Sequence, residues 1–304
     1  MPLASSIVNT ASEAATSEID ARWTMSYAAA LGDSLTAYMD TLRPLEFVAH
    51  PMFPVCFEWP LIVAMRRLFK TNLLTDDEAT RGVHATHDLI IHRAIRPPET
   101  LRTRLVVAGV ERRKPGAYQL TRLDTTDARN TPVCTSWYGS IYRGVGVEGP
   151  DRPADISMPP AVPIDASVNP RDEIKIPVPA GMAHIYTECA RIFNPIHTDA
   201  AVARTAGLPA IILHGTATLA LAVSRIVEAH AQSDPTRVSR IACRFGAMVT
   251  MPSALTLRIF ADTARHVASS AGVFFEVLNS EGKLAIRDGF VGLRAAPENS
   301  NRES

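Results

Sequence analysis

An internal repeat constrains the fold of this chain more than any other feature of its sequence. Residues 27–40 read YAAALGDSLTAYMD and residues 186–199 read YTECARIFNPIHTD. Tyr27 aligns with Tyr186 at the start of the two segments, and an Asp closes each of them. Self-similarity at such a separation predicts two structural units of the same kind in one chain.

An apolar helix and a set of strands are expected after each copy. Apolar residues at helical spacing, with Ala and Leu on the other faces, predict a nearly buried helix over 213–230, and a similar helix is expected over 53–69. Turn-forming residues divide the sequence that follows into alternating segments. The predicted strands are 87–93, 101–112, 118–124 and 134–143 in the first half and 239–245, 254–261, 273–278 and 283–294 in the second. The order of elements predicts an α+β chain.

The composition along the chain divides it into five segments. We predict a disordered lead rich in Ser, Thr and Ala over 1–21, a first repeat over 22–145, a Pro-rich linker over 146–170, a second repeat over 171–296 and a tail over 297–304. The first repeat is expected to have lost its functional site, because its copy of the repeated segment departs further from the pattern described next.

The second copy resembles the hydratase motif of MaoC-like dehydratases and (R)-specific enoyl-CoA hydratases. In that family a Tyr precedes the pattern Gly-Asp-x-Asn-Pro-Ile/Leu-His-x-Asp. The matching residues here are Tyr186, Asn194, Pro195, Ile196, His197 and Asp199. Residues 206–216, AGLPAIILHGT, resemble a second block of the same family. The resemblance covers about residues 22–296 and implies a double hot-dog fold, in which two antiparallel sheets each wrap one long helix.

The resemblance also implies which residues would act. His197 is the expected acid and base, and Asn194 is expected to position substrate or bind water. The backbone N–H of Gly215 is the expected oxyanion donor, because the first N–H groups of a helix are free and lie at its positive end. A glycine there also lets a thioester oxygen approach closely. The residues expected to bind substrate are Ile192, Tyr186, Leu213 and His214.

The second copy departs from the family at two positions that carry chemistry. Ile192 stands where the family has its Asp, and Arg191 stands where the family has Gly. The first copy keeps the Asp as Asp33 but has Tyr38 where the second has His197, so each copy holds half of the Asp/His pair. We expect Asp33 to form a turn. An Ile cannot accept a proton or orient water, and it disfavours a charged imidazole nearby.

Composition limits the partners of the chain. Lys and Arg number 31 and so do Asp and Glu, so the formal net charge is zero and no overall field favours nucleic acid. Arg residues near predicted strand ends are the candidates to bind the phosphates of CoA: Arg143, Arg204, Arg244 and Arg287. We expect a small-molecule substrate, with a CoA thioester as the family default, no nucleic-acid or membrane partner, and a homodimer as the candidate assembly.

Cysteine and histidine spacing predicts neither a disulfide framework nor a metal site. The four cysteines are Cys56, Cys134, Cys189 and Cys243, and their wide separation is typical of free thiols in a reducing compartment. His84, His87 and His92 lie close together in sequence, but residues five apart on a strand face opposite sides. We therefore predict no metal and no cofactor. The absence of a signal-peptide pattern and of a C-terminal Ser-Lys-Leu predicts a cytoplasmic protein.

Three functional hypotheses remain open from the sequence. The first is a MaoC-like lyase acting on a β-hydroxyacyl or enoyl substrate. The second is a hot-dog enzyme that dehydrates, isomerises or cyclises a non-CoA small molecule with a single base and an oxyanion hole. The third is a non-catalytic subunit that binds a ligand or a partner. A basic rim on the pocket favours the first hypothesis, and a His197 without a cavity beside it favours the third.

Overall fold

Ten strands form one continuous antiparallel sheet that spans both halves of the chain. The structure is a computed structural model, and it describes residues 2–72, 74–75, 78, 81–154, 169–260 and 271–295. The strands are β1 (Leu3–Ala4), β2 (Ala15–Ile19), β3 (Gly82–Ile91), β4 (Glu99–Arg113), β5 (Gly116–Asp127), β6 (Pro132–Arg143), β7 (Val147–Glu148), β8 (Asp172–Val178), β9 (Val238–Phe245), β10 (Ser253–Phe260), β11 (Ala271–Leu278) and β12 (Leu284–Leu293). Their order in the large sheet is β2-β4-β5-β6-β3-β9-β12-β11-β10-β8, and β1 pairs with β7 separately.

One long helix lies against each half of the sheet. We call Pro54–Asn72 the first central helix and Gly215–His230 the second central helix. The shorter helices are Ala21–Ala30, Thr36–Met39, Met182–Ala190 and Ala200–Thr205. In the second central helix ten residues between Ala217 and Val227 are buried, because the sheet covers one face and the other repeat covers the opposite one. None of the helices described is long and apolar enough to cross a membrane.

The two repeats contact each other in two places: one edge strand of each repeat pairs with the other, and one tyrosine of each repeat faces the other. Strands β3 and β9 pair antiparallel, with Leu89 opposite Ile241, and both side chains are buried. The hydroxyl oxygens of Tyr27 and Tyr186 lie 3.4 Å apart, and their rings are 5.7 Å apart. These tyrosines are the residues that the repeat aligns. Equivalent residues of two repeats meet in this way only near the pseudo-twofold axis that relates them.

The predicted fold class is confirmed. Both central helices and all eight predicted strands are present, and the sheets join edge to edge to give the α+β double hot-dog arrangement.

The predicted disordered lead is wrong. Residues 15–19 form β2, which pairs with β4 at one edge of the sheet, while Leu3 and Ile7 are buried. The sequence analysis also missed β8, which forms the other edge. Both are short strands with exposed polar residues, the composition that edge strands favour and that hides a strand from hydrophobic patterning. In the predicted linker, Val147–Glu148 pairs with β1, and residues 155–168 and the tail lie outside the described residues.

Candidate active site

A cavity of about 690 Å³ lies between the two repeats, with walls from both. Residues of the second repeat that line it are Ile192, Asn194, Ile196, His197, Leu213, His214, Gly215, Thr216 and Thr218. From the first central helix come Val55, Glu58, Trp59 and Ile62, and the sheet contributes His84, Tyr138 and Phe245 among others. Six of the seven predicted site residues therefore surround one space, and their roles in chemistry remain predictions.

His197 is a neutral imidazole whose Nδ1 bonds to the backbone of Ile212, which leaves Nε2 without this partner. Its Nδ1 lies 2.8 Å from the carbonyl oxygen of Ile212, which can only accept, so Nδ1 carries the proton and donates it. Nε2 is then unprotonated and can act as a base. Burial lowers the pKa of His197 to about 4, and the bond to Ile212 acts weakly in the opposite direction. A charged His197 is therefore disfavoured at neutral pH.

His214 supports His197 from one side. The two rings stack with centroids 3.6 Å apart, and His214 Nε2 lies 3.2 Å from the hydroxyl of Thr187. Burial and then the proximity of His197 lower the pKa of His214, and the backbone of Ile192 acts in the opposite direction. Two stacked neutral imidazoles fix the orientation of the His197 ring.

Gly215 opens the second central helix at the cavity. The preceding residue, His214, makes no side-chain cap, and the structure gives the first N–H groups no partner among the described residues. A Cβ at Gly215 would lie 3.1 Å from the ring of Phe245, so the ring leaves little room for a larger residue. The result is a set of free N–H donors at the positive end of a helix, which is suited to a developing oxyanion.

The turn after Met182–Ala190 explains the unusual residues at the motif Gly-Asp positions. Arg191 adopts φ 57°, and Gly32 adopts φ 68° at the equivalent turn of the first copy. Arg191 is therefore held in a conformation that favours glycine, and its guanidinium stacks 3.9 Å above the ring of Trp23 in the first repeat. Arg191 does not line the cavity. Ile192, which follows it, is buried and does.

No carboxylate near the motif takes the place of the missing Asp. Glu188 is exposed on its helix, and Asp199 accepts hydrogen bonds from the backbone N–H groups of Ala201 and Val202. Of the described residues that line the cavity, Glu58 is the only one with a carboxyl group. It is contributed by the first repeat, and the sequence analysis did not identify it.

Glu58 is almost completely buried, with 1% of its surface exposed. The hydroxyl of Ser136 donates to its Oε1 at 2.5 Å. Burial raises the pKa of Glu58 to about 7, and the bond from Ser136 only partly offsets this effect. The carboxyl group is therefore protonated in a large fraction of molecules at neutral pH.

Replacing Glu58 by glutamine is expected to change how stability depends on pH. Between pH 4.5 and 7 the folded protein holds a proton that the unfolded chain has released, so Glu58 lowers stability as the pH rises through this window. The free energy of unfolding of Glu58→Gln relative to wild type should increase by about 1.4 kcal/mol per pH unit there. Urea unfolding at several pH values measures it, with Glu188→Gln at an exposed site as the matched control. A constant difference would contradict the raised pKa.

Tyr186, which the sequence predicts to bind substrate, does not line the cavity. Its side chain is fully buried behind the wall, and its hydroxyl donates to Thr216 Oγ1 at 3.1 Å. The same hydroxyl faces Tyr27 at the axis between the repeats. Tyr186 therefore holds the start of the second central helix, and its contact with substrate stays a prediction.

Among the described residues of the first repeat, the cavity beside His50 is far smaller than the one beside His197. A cavity of only about 20 Å³ lies beside His50, which is roughly the room for one water. Asp33 Oδ1 accepts from the backbone N–H of Leu35, which confirms the expected turn-forming role. Tyr38 fills the position of the motif His and is buried. These contacts support the expectation that one site, in the second repeat, remains.

Four arginines surround the cavity at the ends of neighbouring strands. They are Arg113, Arg143, Arg244 and Arg287, and all are exposed. Arg113 forms an ion pair with Glu111 and Arg244 with Asp288, whereas Arg143 and Arg287 have no ion pair with any described residue. Arg204, the remaining sequence candidate, does not line the cavity. The cavity lining thus contains four guanidinium groups and one carboxyl group, although the whole chain is formally neutral.

The three clustered histidines do not form a metal site. His84 stacks on Tyr138 at 3.6 Å, His87 is buried, and His92 faces Thr135. Across the described ranges no group of three or more His, Cys, Asp or Glu side chains is placed to hold a metal ion.

Comparison with known proteins finds one matching family model in each half of the chain. Residues 162–274 match the MaoC like domain, and residues 6–136 match the FAS1-like dehydratase domain region. An enoyl-CoA hydratase of Mycobacterium tuberculosis is 34% identical over 97 residues, covering 32% of this chain and 34% of the relative. A peroxisomal enoyl-CoA hydratase 2 of Arabidopsis thaliana is 30% identical over 102 residues, covering 34% of this chain and 31% of the relative. The matches thus span about a third of these curated relatives.

Solved structures show the same fold over nearly the whole chain. The crystal structure of a MaoC-like dehydratase from Phytophthora capsici superposes with a TM-score of 0.79 at 19% identity, covering 95% of this chain and 98% of that one. A double hot-dog protein of Mycobacterium tuberculosis gives a TM-score of 0.60 at 14% identity, covering 94% and 95%. At these identities the likeness establishes the fold.

Proposed function

Since the chain joins a FAS1-like dehydratase region to a MaoC-like domain in one double hot-dog fold, we propose that it is a hydro-lyase. Its substrates are enoyl or β-hydroxyacyl thioesters of CoA. The observation that carries this proposal is the neutral His197, which lies in the same cavity as the uncapped N-terminus at Gly215. The test is turnover of trans-2-enoyl-CoA thioesters of increasing chain length, followed by the absorbance of the conjugated double bond.

The arrangement suits removal of a proton next to a thioester carbonyl. In the dehydration direction, Nε2 of His197 takes the proton from the α-carbon, and the N–H of Gly215 donates to the thioester oxygen as negative charge develops there. The imidazolium then returns that proton to the departing hydroxyl group, so that a C–H and a C–O bond break, the double bond forms and water leaves. Asn194 lines the same space and positions the hydroxyl group or the water.

The arginines at the mouth support a CoA thioester over an uncharged substrate. CoA carries a pyrophosphate and a 3′-phosphate, and exposed guanidinium groups bind phosphate oxygens in bidentate fashion. Arg113, Arg143, Arg244 and Arg287 in the cavity lining support this choice of substrate.

Removing Arg143 and Arg287 together is expected to raise KM for a CoA thioester about tenfold, the equivalent of about 1.4 kcal/mol. These two guanidinium groups have no ion pair with any residue in the described part of the chain, so both can bind phosphate. The N-acetylcysteamine thioester of the same acyl group lacks phosphates and should keep its KM. Arg204→Ala, outside the cavity, is the control. An equal change for both thioesters would contradict phosphate binding at this rim.

The pH profile of kcat/KM should reveal the buried base. His197 must be neutral to accept a proton, so activity is full above its pKa and falls as the pH drops through it. The midpoint of the acid limb is expected at about 4, far below the ordinary value of 6.5. Stopped-flow pH jumps measure the rate before unfolding, and circular dichroism checks the fold. A midpoint near 6.5 would contradict the buried, uncharged imidazole.

A second candidate function follows from Ile192. A site with one base and an oxyanion hole also fits isomerisation, dehydration or cyclisation of a small molecule that is not a CoA thioester. The observation that favours this alternative is the absence of a carboxylate at the motif position. The third hypothesis, a non-catalytic subunit, is less favoured because a large cavity lies beside His197.

A further inference from the structure

Glu58 is a buried carboxyl group that faces the cavity without a cation. Only the hydroxyl of Ser136 bonds to it, and Glu58 forms no ion pair with any residue of the described part of the chain. Burial of an unpaired carboxyl group is unfavourable, and apolar replacements of buried charged groups are often neutral or stabilising. The stability of the first central helix therefore does not explain why a glutamate occupies this position.

Glu58 belongs to the part of the cavity lining that the first central helix contributes. Val55, Glu58, Trp59 and Ile62 follow each other at helical spacing, so they share one face of the first central helix, which we call the helix wall. All four line the cavity, and Glu58 is the only ionisable group among them. The groups assigned to the reaction, His197 and the N–H of Gly215, come from the other repeat.

We propose that the helix wall contacts a part of the acyl chain away from the reacting carbons, that this part carries a hydroxyl group, and that Glu58 forms a hydrogen bond with this hydroxyl. This inference rests on the proposed function and names the substrate class of the same cavity. A plain hydrocarbon chain would leave the carboxyl group against methylene groups, without a partner other than Ser136. A site built to hydrogen-bond a substrate hydroxyl discriminates strongly against the analogue that lacks it.

The surroundings of the helix wall are consistent with a polar acyl group. Across the cavity from the helix, the sheet presents Thr86, His84 and Tyr138. The hydroxyl of Thr86 lies 2.9 Å from that of Tyr118. Trp59 and Ile62 add apolar surface to the same lining, which therefore has both the surface for a carbon chain and hydrogen-bonding groups for an oxygen substituent.

The test compares trans-2-octenoyl-CoA with counterparts that carry one hydroxyl group, placed in turn on each carbon beyond the double bond. For wild type we expect kcat/KM of at least one hydroxylated thioester to exceed that of the plain one about tenfold or more. Glu58→Leu should lose or reverse this preference, with a gain for the plain thioester. Glu58→Gln keeps an acceptor oxygen and should retain most of the preference. Ile62→Val, on the same wall, should change all the thioesters alike.

Two kinds of result would overturn the inference. One is a wild type that uses the plain thioester at least as well as every hydroxylated one. The other is an equal loss for all thioesters in both Glu58 variants, which would make Glu58 a proton-transfer group. Dissociation constants of the same thioesters, measured by calorimetry, separate this inference from the proposed function. If the protein binds hydroxylated thioesters preferentially but does not turn them over, the inference about Glu58 is retained and the hydro-lyase proposal is contradicted. If it turns thioesters over without any preference, the hydro-lyase proposal is retained and the inference is contradicted. If it shows neither preference nor turnover, both are contradicted.

Discussion

Replacing His197 by alanine is expected to lower kcat/KM by about 10²–10⁴-fold, the usual contribution of one general acid–base group. The melting temperature should stay nearly unchanged, because His197 lies at the cavity wall, where water can replace its ring as donor to the Ile212 carbonyl. Turnover of an enoyl-CoA and a thermal unfolding curve measure the two quantities. His92→Ala, at a histidine outside the cavity, is the matched control and should alter neither.

A loss of folding in His197→Ala would contradict this assignment. If the melting temperature fell by more than about 10 °C, corresponding for a chain of this size to a loss of more than about 3–5 kcal/mol, the stacked pair of His197 and His214 would be part of the core. Activity that persisted in a well-folded variant would exclude His197 as the base.

Wild type is expected to hydrate crotonyl-CoA slowly, and Ile192→Asp is expected to be about 10²–10⁴-fold faster. Ile192 occupies the position of the motif Asp, lines the cavity and cannot activate water. Glu188 and Asp199 do not line the cavity, so no nearby carboxylate of the motif compensates. Initial rates under identical conditions measure the difference. Ile192→Asn, which adds a polar group but no base, is the control and should remain slow.

Two results would contradict this account of Ile192. A rapid wild type whose rate does not change in Ile192→Asp would show that the motif Asp is not needed. Equal acceleration in Ile192→Asp and Ile192→Asn would show that polarity, instead of proton transfer, limits the rate. If both variants and wild type are inactive and the protein binds a ligand that is not a thioester beside His197, the alternative function is favoured.

Much of the fold could be predicted from the repeat, since each copy of the segment is followed by the same order of helix and strands. The sequence did not show how the two sheets join, because that depends on which edges remain unpaired. Strands β2 and β8 were missed because Ala15–Ile19 and Asp172–Val178 are short and partly exposed. Edge strands are often short and carry charged side chains, so their hydrophobic pattern is weak.

The candidate site was predicted in part, and the differences have physical reasons. Motif residues close in sequence, such as Asn194 and His197, lie on one turn and reach the same cavity. Tyr186 was placed in the substrate pocket although its alignment with Tyr27 already indicated contact at a pseudo-twofold axis. Glu58 was missed because its role depends on which face of the first central helix meets the other repeat. Its signal was a lone carboxyl group in an apolar helix.

The most direct test of the single-base site is deuterium exchange at the α-carbon of β-hydroxybutyryl-CoA in D₂O. His197 and the N–H of Gly215 suffice to remove and return the α-proton, whereas loss of the hydroxyl group lacks the help of a motif Asp. We therefore expect wild type to incorporate deuterium faster than it forms crotonyl-CoA, and His197→Ala to abolish the exchange. Exchange that survives in His197→Ala, or an absence of exchange in wild type, would contradict the account.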